Sequence, residues 1–151
     1  MKTPAQIAII AAISLTAAAA TYLVKGPPQR LWVCDPTALK ADEVCLEQLP
    51  LEEEFVWVDA RSRAEWQQSS VPGSILWNLD PAEDMQVFEV EAATRIAVNP
   101  RVVVYCGDEN CGISRQVAER IRALGLGAEV RVLHGGWRAL KEAGRVGGAG
   151  D

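Results

Sequence analysis

The sequence predicts an α/β domain, a mostly parallel central sheet flanked by helices, with a separate hydrophobic helix at its N-terminus. Three observations carry that reading. Three short β-branched or aromatic runs each stop at a polar or glycine-bearing segment. An amphipathic helical stretch lies between the second and third runs, the order that a parallel crossover needs. The first 25 residues hold an apolar stretch that nothing later in the chain resembles.

That first stretch, Gln6 to Val24, has 19 residues and no charge, proline or glycine. As a helix it would span about 28 Å, close to the hydrocarbon thickness of a bilayer. Two readings stay open for residues 1–25. One is an uncleaved signal-anchor; the other is a signal peptide cut among Ala17 to Ala20, where small residues offer cleavage sites. Tyr22-Leu23-Val24 extends the apolar run past the alanines and favours the anchor. A buried core helix is the bland alternative, opposed by the lack of any polar face. Export of the rest of the chain is the default for such a segment, to the periplasm if it anchors and secreted if it is cut, although the weak charge bias across it leaves the orientation open. Residues 26–43 read as a linker and lead-in, opening with Gly26-Pro27-Pro28, which no helix continues through. Residues 44–143 form the folded domain, and the glycine-rich 144–151 a flexible tail.

Inside the domain the runs are Phe55-Val56-Trp57-Val58, then Val102-Val103-Val104-Tyr105, then Val130-Arg131-Val132-Leu133. They end at Asp59, Cys106 and His134. The middle run shows no alternation and reads as a central strand buried on both faces. Between the second and third runs, Val117, Ala118, Ile121 and Leu124 share one helical face, and Gly125 is the expected stop. Arg61 to Gln68 and Asp80 to Ile96 are further helical candidates, and Val44 to Leu46 a short edge strand. Trp57 reads as core, with Trp66 and Trp137 covering the sheet.

Composition narrows the function. Hydrophobic residues are 49% of the 151, charged residues 23%, which suits one globular domain and excludes a disordered chain or a coiled coil. A net charge of -5 argues against nucleic-acid binding, which runs on clustered basic charge. A single histidine, His134, excludes a multi-histidine metal centre, and with no C-x-x-C pair among four cysteines no zinc site and no cofactor is expected.

In parallel sheets, function collects at the carboxyl ends of the strands. Of the residues there, only Cys106 is a strong nucleophile. It opens the loop Cys106-Gly107-Asp108-Glu109-Asn110-Cys111-Gly112-Ile113-Ser114, with a helix expected to start near Ser114. Free backbone amides at a helix N-terminus favour negative charge, so a thiolate there would be available to attack sulfur. Gly107 and Gly112 would let the backbone approach that sulfur closely. The bland alternative is a buried cysteine acting as a small hydrophobe. His134, beside the same edge, could donate to a substrate, or simply satisfy its own turn.

The chain resembles a rhodanese-like domain over roughly Val44 to Leu140. Asp59-Ala60-Arg61, Glu65-Trp66 and Val71-Pro72-Gly73-Ser74 are similar to that family's early motifs, Val102 to Cys106 to its active-site strand, and Leu133-His134-Gly135-Gly136-Trp137 to its closing turn. The family's early histidine is absent; Ser69 and Ser70 stand there. The resemblance implies a sulfurtransferase. Cys106 would take sulfane sulfur from a small donor as a persulfide and pass it to a thiol, for example on a protein. Amides of Gly107 to Ile113 would stabilise the charged sulfur, and Asp59 and Arg61 would support the loop's base.

Departures from the family's pattern sharpen the expectation. The loop is two residues longer than the usual C-x-x-G-x-R-S, and Ile113 stands where an arginine would be. Asp108 and Glu109 add two carboxylates, which Arg115 could offset or could ignore by facing solvent. Like charges within about 4–6 Å disfavour an anionic substrate, so thiosulfate should be a poor donor, as cyanide-dependent thiocyanate formation would reveal. Cys111 offers a second route, a disulfide with Cys106 and thiol–disulfide redox work, or it only packs the loop. A non-catalytic binding module is the third reading. Cys34 and Cys45, eleven apart, suit a structural disulfide in an oxidising compartment, with two buried thiols as the alternative.

Overall fold

A computed structural model describes residues 4–26, 33–50, 52–107 and 112–148. The chain divides into two units, Met1–Leu31 and Trp32–Asp151. The first holds α1 (Pro4–Lys25), which opens on proline, a residue suited to a first helical turn. Its Gln6–Val24 stretch is long and apolar enough to cross a membrane, and none of it is buried within the protein. A membrane anchor and a signal sequence are both compatible with it. Thr16 hides its hydroxyl by donating to the carbonyls of Ala12 (3.0 Å) and Ile13 (2.9 Å). An otherwise unmet hydroxyl would oppose insertion into lipid.

The second unit is built on a five-stranded sheet in the order β1-β6-β5-β2-β4, parallel throughout. Its strands are β1 (Glu43–Val44), β2 (Val56–Asp59), β4 (Ile75–Leu76), β5 (Arg101–Tyr105) and β6 (Glu129–Leu133), and β3 (Ser69–Ser70) lies outside it. The expected crossover is present: β5, then α4 (Gly112–Ala123), then β6 in parallel register with Val103 opposite Arg131. The β5 valines are buried on both faces, as their unbroken run requires. Val102 and Val104 point into a cluster with Phe88, Ala92 and Ile96 of α3 (Met85–Val98) and Val117, Ala118 and Ile121 of α4. Val103 and Tyr105 point the other way, against Leu46, Val71, Leu133 and Leu140. Leu140 belongs to α5 (Gly136–Glu142), which packs on this second face. Trp66 and Trp137 pack against opposite clusters, as expected, whereas Trp57 is only half-buried and Trp77 is the largest fully buried side chain.

Local hydrogen bonding moves several boundaries. The edge strand stops at Val44 because Cys45 opens a 3-10 turn over Leu46–Gln48, its N–H donating to Gln48 Oε1 at 2.9 Å. The helix expected from Arg61 becomes α2 (Arg63–Gln68), capped by Ser62 and Glu65 in a reciprocal box. The one expected from Asp80 begins at Met85, because Asp80 closes a turn onto the Ala82 N–H and Asp84 provides the cap. Within 144–151, expected as a flexible tail, Gly147–Gly148 forms β7 and pairs antiparallel with β3.

Candidate active site at the carboxyl edge of the sheet

β2 and β5 end side by side, with Asp59 opposite Tyr105. Backbone bonds then fix the chain just past both strands. The Ala60 N–H donates to the Tyr105 carbonyl at 2.8 Å, and the Trp137 N–H to the Cys106 carbonyl at 2.6 Å. Cys106 therefore leaves the central strand with its main chain tied to α5. Its side chain is 3% exposed, at the upper end of the Val102–Val104 cluster, and it lines a cavity of about 520 Å³. Ala60, Arg61, Ser62, Glu65, Asn78 and Leu79 form much of the wall. Asp80, Gly107 and Ile113 complete it.

Beneath the cavity is a buried ion pair. Asp59 is fully buried and Arg61 nearly so. Arg61 Nη2 donates to Asp59 Oδ2 at 2.7 Å and to the Ser69 carbonyl at 2.7 Å, while Nε and the backbone N–H reach Oδ1 at 3.0 and 2.9 Å. The guanidinium also lies 3.8 Å from the ring centroid of Trp137. Burial opposes its charge, but the Asp59 carboxylate outweighs burial and holds the arginine's pKa above its ordinary value. Nearby, the Tyr105 hydroxyl accepts from the Val71 N–H at 3.2 Å and contacts Ser74 Oγ at 3.5 Å. Burial, reinforced by the Asp59 charge, pushes the phenol's pKa well up.

The described residues bear on several expectations for this region. Cys106 does not present a free thiolate: it is disulfide-bonded. Neither Gly107 nor Gly112 has a left-handed φ, and a Cβ at Gly112 would meet nothing within 4 Å. Arg115 is part-exposed; its Nη2 donates to Glu43 Oε1 at 2.7 Å and its Nε lies 3.8 Å from Asp42. His134 sits with Nδ1 3.2 Å from Glu43 Oε2, joined to the same carboxylate. Ser114 is buried in the first turn of α4, which begins at Gly112, two residues before Ser114. Asp108, Glu109, Asn110 and Cys111 lie outside the described residues, and so does most of the expected amide cradle.

The Cys34–Cys45 disulfide is present, with Cα atoms 5.8 Å apart. With Glu47 these sulfurs form a cluster of metal-ligating residue types, but sulfurs in a disulfide are not the thiolates that a metal would need. Sequence reasoning missed the cavity wall at Asn78, Leu79 and Asp80. These residues come after β4 as Cys106 comes after β5, and a strand-end rule would have found them had the two-residue β4 been visible.

The family model for the rhodanese-like domain matches residues 45–143. The chain belongs to the rhodanese-like domain family. Among solved structures it is similar to the BH2092 protein from Bacillus halodurans, at 24% identity and a TM-score of 0.48, covering 65% of this chain and 66% of that one. It is also similar to a thiosulfate sulfurtransferase from Pseudomonas aeruginosa, at 25% identity and a TM-score of 0.45, covering 64% of this chain and 17% of that one. A third is Ygr203w from Saccharomyces cerevisiae, described as a homolog of single-domain rhodanese and the Cdc25 phosphatase catalytic domain. It has 17% identity and a TM-score of 0.46, with 62% of this chain and 68% of that one covered. No curated protein gives a significant match. Within the matched residues, Cys106 stands just past the central strand, on the wall of the cavity.

Proposed function

We propose that this rhodanese-like domain is a sulfurtransferase whose working sulfur is Cys106. The observation that carries the reading is the position of Cys106: the first residue past the central strand, main chain tied, side chain on the cavity wall. In its reduced form the Cys106 thiolate attacks the sulfane sulfur of a small donor. The donor's remaining fragment leaves with the bonding pair, and Cys106 becomes a persulfide. An acceptor thiolate, on a small molecule or a protein, then attacks the outer sulfur, and Cys106 leaves as the thiolate. No cofactor enters either step.

A specific observation favours a second, linked reading. Cys106 is disulfide-bonded, and this reading pairs it with Cys111, five residues further along the sequence, in a redox cycle. Attack of the Cys111 thiolate on the inner sulfur of a Cys106 persulfide would expel hydrosulfide and leave that disulfide, which an external dithiol would reduce. The same pair would serve thiol–disulfide exchange without any sulfane sulfur. We place the domain in an extracytoplasmic, oxidising compartment, held there by α1 or secreted after its cleavage; the Cys34–Cys45 bridge supports this, since such bridges persist outside the cytosol.

The test is hydrosulfide release from an organic persulfide with a dithiol acceptor. The full chain should turn over and Cys106→Ser should not. A Cys111→Ser chain that still transfers sulfur places the transfer on Cys106 alone. Dithiol consumption without sulfane transfer would favour the redox reading, and inactivity in both a binding module.

A further inference from the structure

We infer that the cavity beside Cys106 selects an uncharged or cationic thiol and turns away anions, an inference that rests on Cys106 being the working sulfur. The cations around the site are already committed. Arg61 is held by Asp59 and the Ser69 carbonyl and lies against Trp137. Arg115 is drawn to Glu43. Arg63, at the start of α2, is paired with Glu83 at 2.7 Å.

The carboxylates stand differently. Glu65 lines the cavity, and its hydrogen bonds from Ser62 keep its pKa below the ordinary 4.5, so it is ionised at neutral pH. Asp80 lines the same cavity and is exposed. Arg61 and Asp59 cancel, so Glu65 and Asp80 leave the described wall net negative.

Size and polarity point the same way. A cavity of about 520 Å³ falls in the roughly 300–1,000 Å³ range that holds whole organic ligands. Ala60, Leu79 and Ile113 give it an apolar side against which a carbon skeleton can rest. The occupant this describes is an organic thiol, or a cysteine in a polypeptide segment, with neutral or basic surroundings.

The test uses the full-length Cys111→Ser chain in detergent, with Cys106 left as a free thiol. Three methanethiosulfonate reagents that differ only in tail charge are compared: cationic aminoethyl, neutral hydroxyethyl and anionic sulfonatoethyl. In each, the Cys106 thiolate attacks the sulfenyl sulfur and methanesulfinate leaves, so the thiolate fraction cancels in the rate ratios. Rates at Cys106, located by peptide mass spectrometry, are normalised to those of a free small thiol.

A cation-to-anion ratio of about tenfold is expected at low salt, shrinking as screening shortens its reach. Asp80→Asn should cut it severalfold. A ratio at or below one, with Cys106 reactive, overturns the inference and leaves the sulfurtransferase reading intact. Inertness toward all three reagents overturns both. Should Cys111→Ser fail to fold, the wild-type chain, reduced and desalted, gives the same ratios. In a second arm, cysteamine and a cysteine peptide flanked by arginines serve as acceptors from the Cys106 persulfide. Both should outrun mercaptoethanesulfonate, and their relative rates separate a small thiol from a protein source; an equal or faster rate for mercaptoethanesulfonate counts against the inference.

Discussion

The described cysteines fall in two settings. Cys34 and Cys45 sit ahead of and just past the edge strand β1, joined to each other, remote from the central strands. Cys106 sits at the end of β5, in the middle of the sheet, against a cavity and above a buried ion pair. An edge disulfide fastens the lead-in to the domain; the strand-end sulfur beside a cavity is the one we propose to react. The lesson is positional: what a cysteine does here depends on which part of the sheet delivers it.

The largest effects should separate these roles. Cys106→Ser should abolish sulfur transfer while Cys34→Ala/Cys45→Ala retains it, measured under conditions where both chains are folded. Next comes the support beneath the site. Arg61→Ala strands the Asp59 carboxylate in the core and should cost about 3–5 kcal/mol in denaturant unfolding. An Arg61→Ala chain as stable as wild type would mean that the ion pair does not hold the strand ends. The Cys34→Ala/Cys45→Ala chain should lose about 2–3 kcal/mol, the range for closing a short loop. Tyr105→Phe leaves the Val71 N–H without its acceptor and should cost about 1–3 kcal/mol.

The smallest effect is acid sensitivity at α2. Because the folded-state pKa of Glu65 is lowered, first by the Ser62 hydroxyl, its contribution is present above pH 4.5 and lost as pH falls through the lowered value. Glu65→Gln should therefore flatten the acid limb of the melting-temperature profile relative to wild type. An unchanged limb would show that the Ser62–Glu65 box adds nothing to stability.

Much of the fold was legible in the amino-acid sequence, for physical reasons. An unbroken Val102-Val103-Val104 run belongs in a strand covered on both faces, and it is the sheet's centre. The helical face through Val117, Ala118 and Ile121 announced α4, because that face is buried. Cys106, Asp59 and Arg61 were reached through the strand-end rule and the family resemblance. What stayed hidden depends on tertiary pairing. The strands β3, β4 and β7 have two residues each, too few for any periodicity, and α5 opens on Gly136 with none of the usual capping residues. The commitments of Arg115 and His134 to Glu43 were also invisible, since they join residues far apart in sequence.

The central claim is that Cys106 carries transferable sulfur. It is tested most directly by mass spectrometry of the reduced full chain after exposure to an organic persulfide. The account predicts one added sulfur atom on the peptide bearing Cys106, absent in Cys106→Ser and discharged when a thiol acceptor is added. Added sulfur nowhere in that peptide, in a chain whose Cys106 still alkylates, would contradict it.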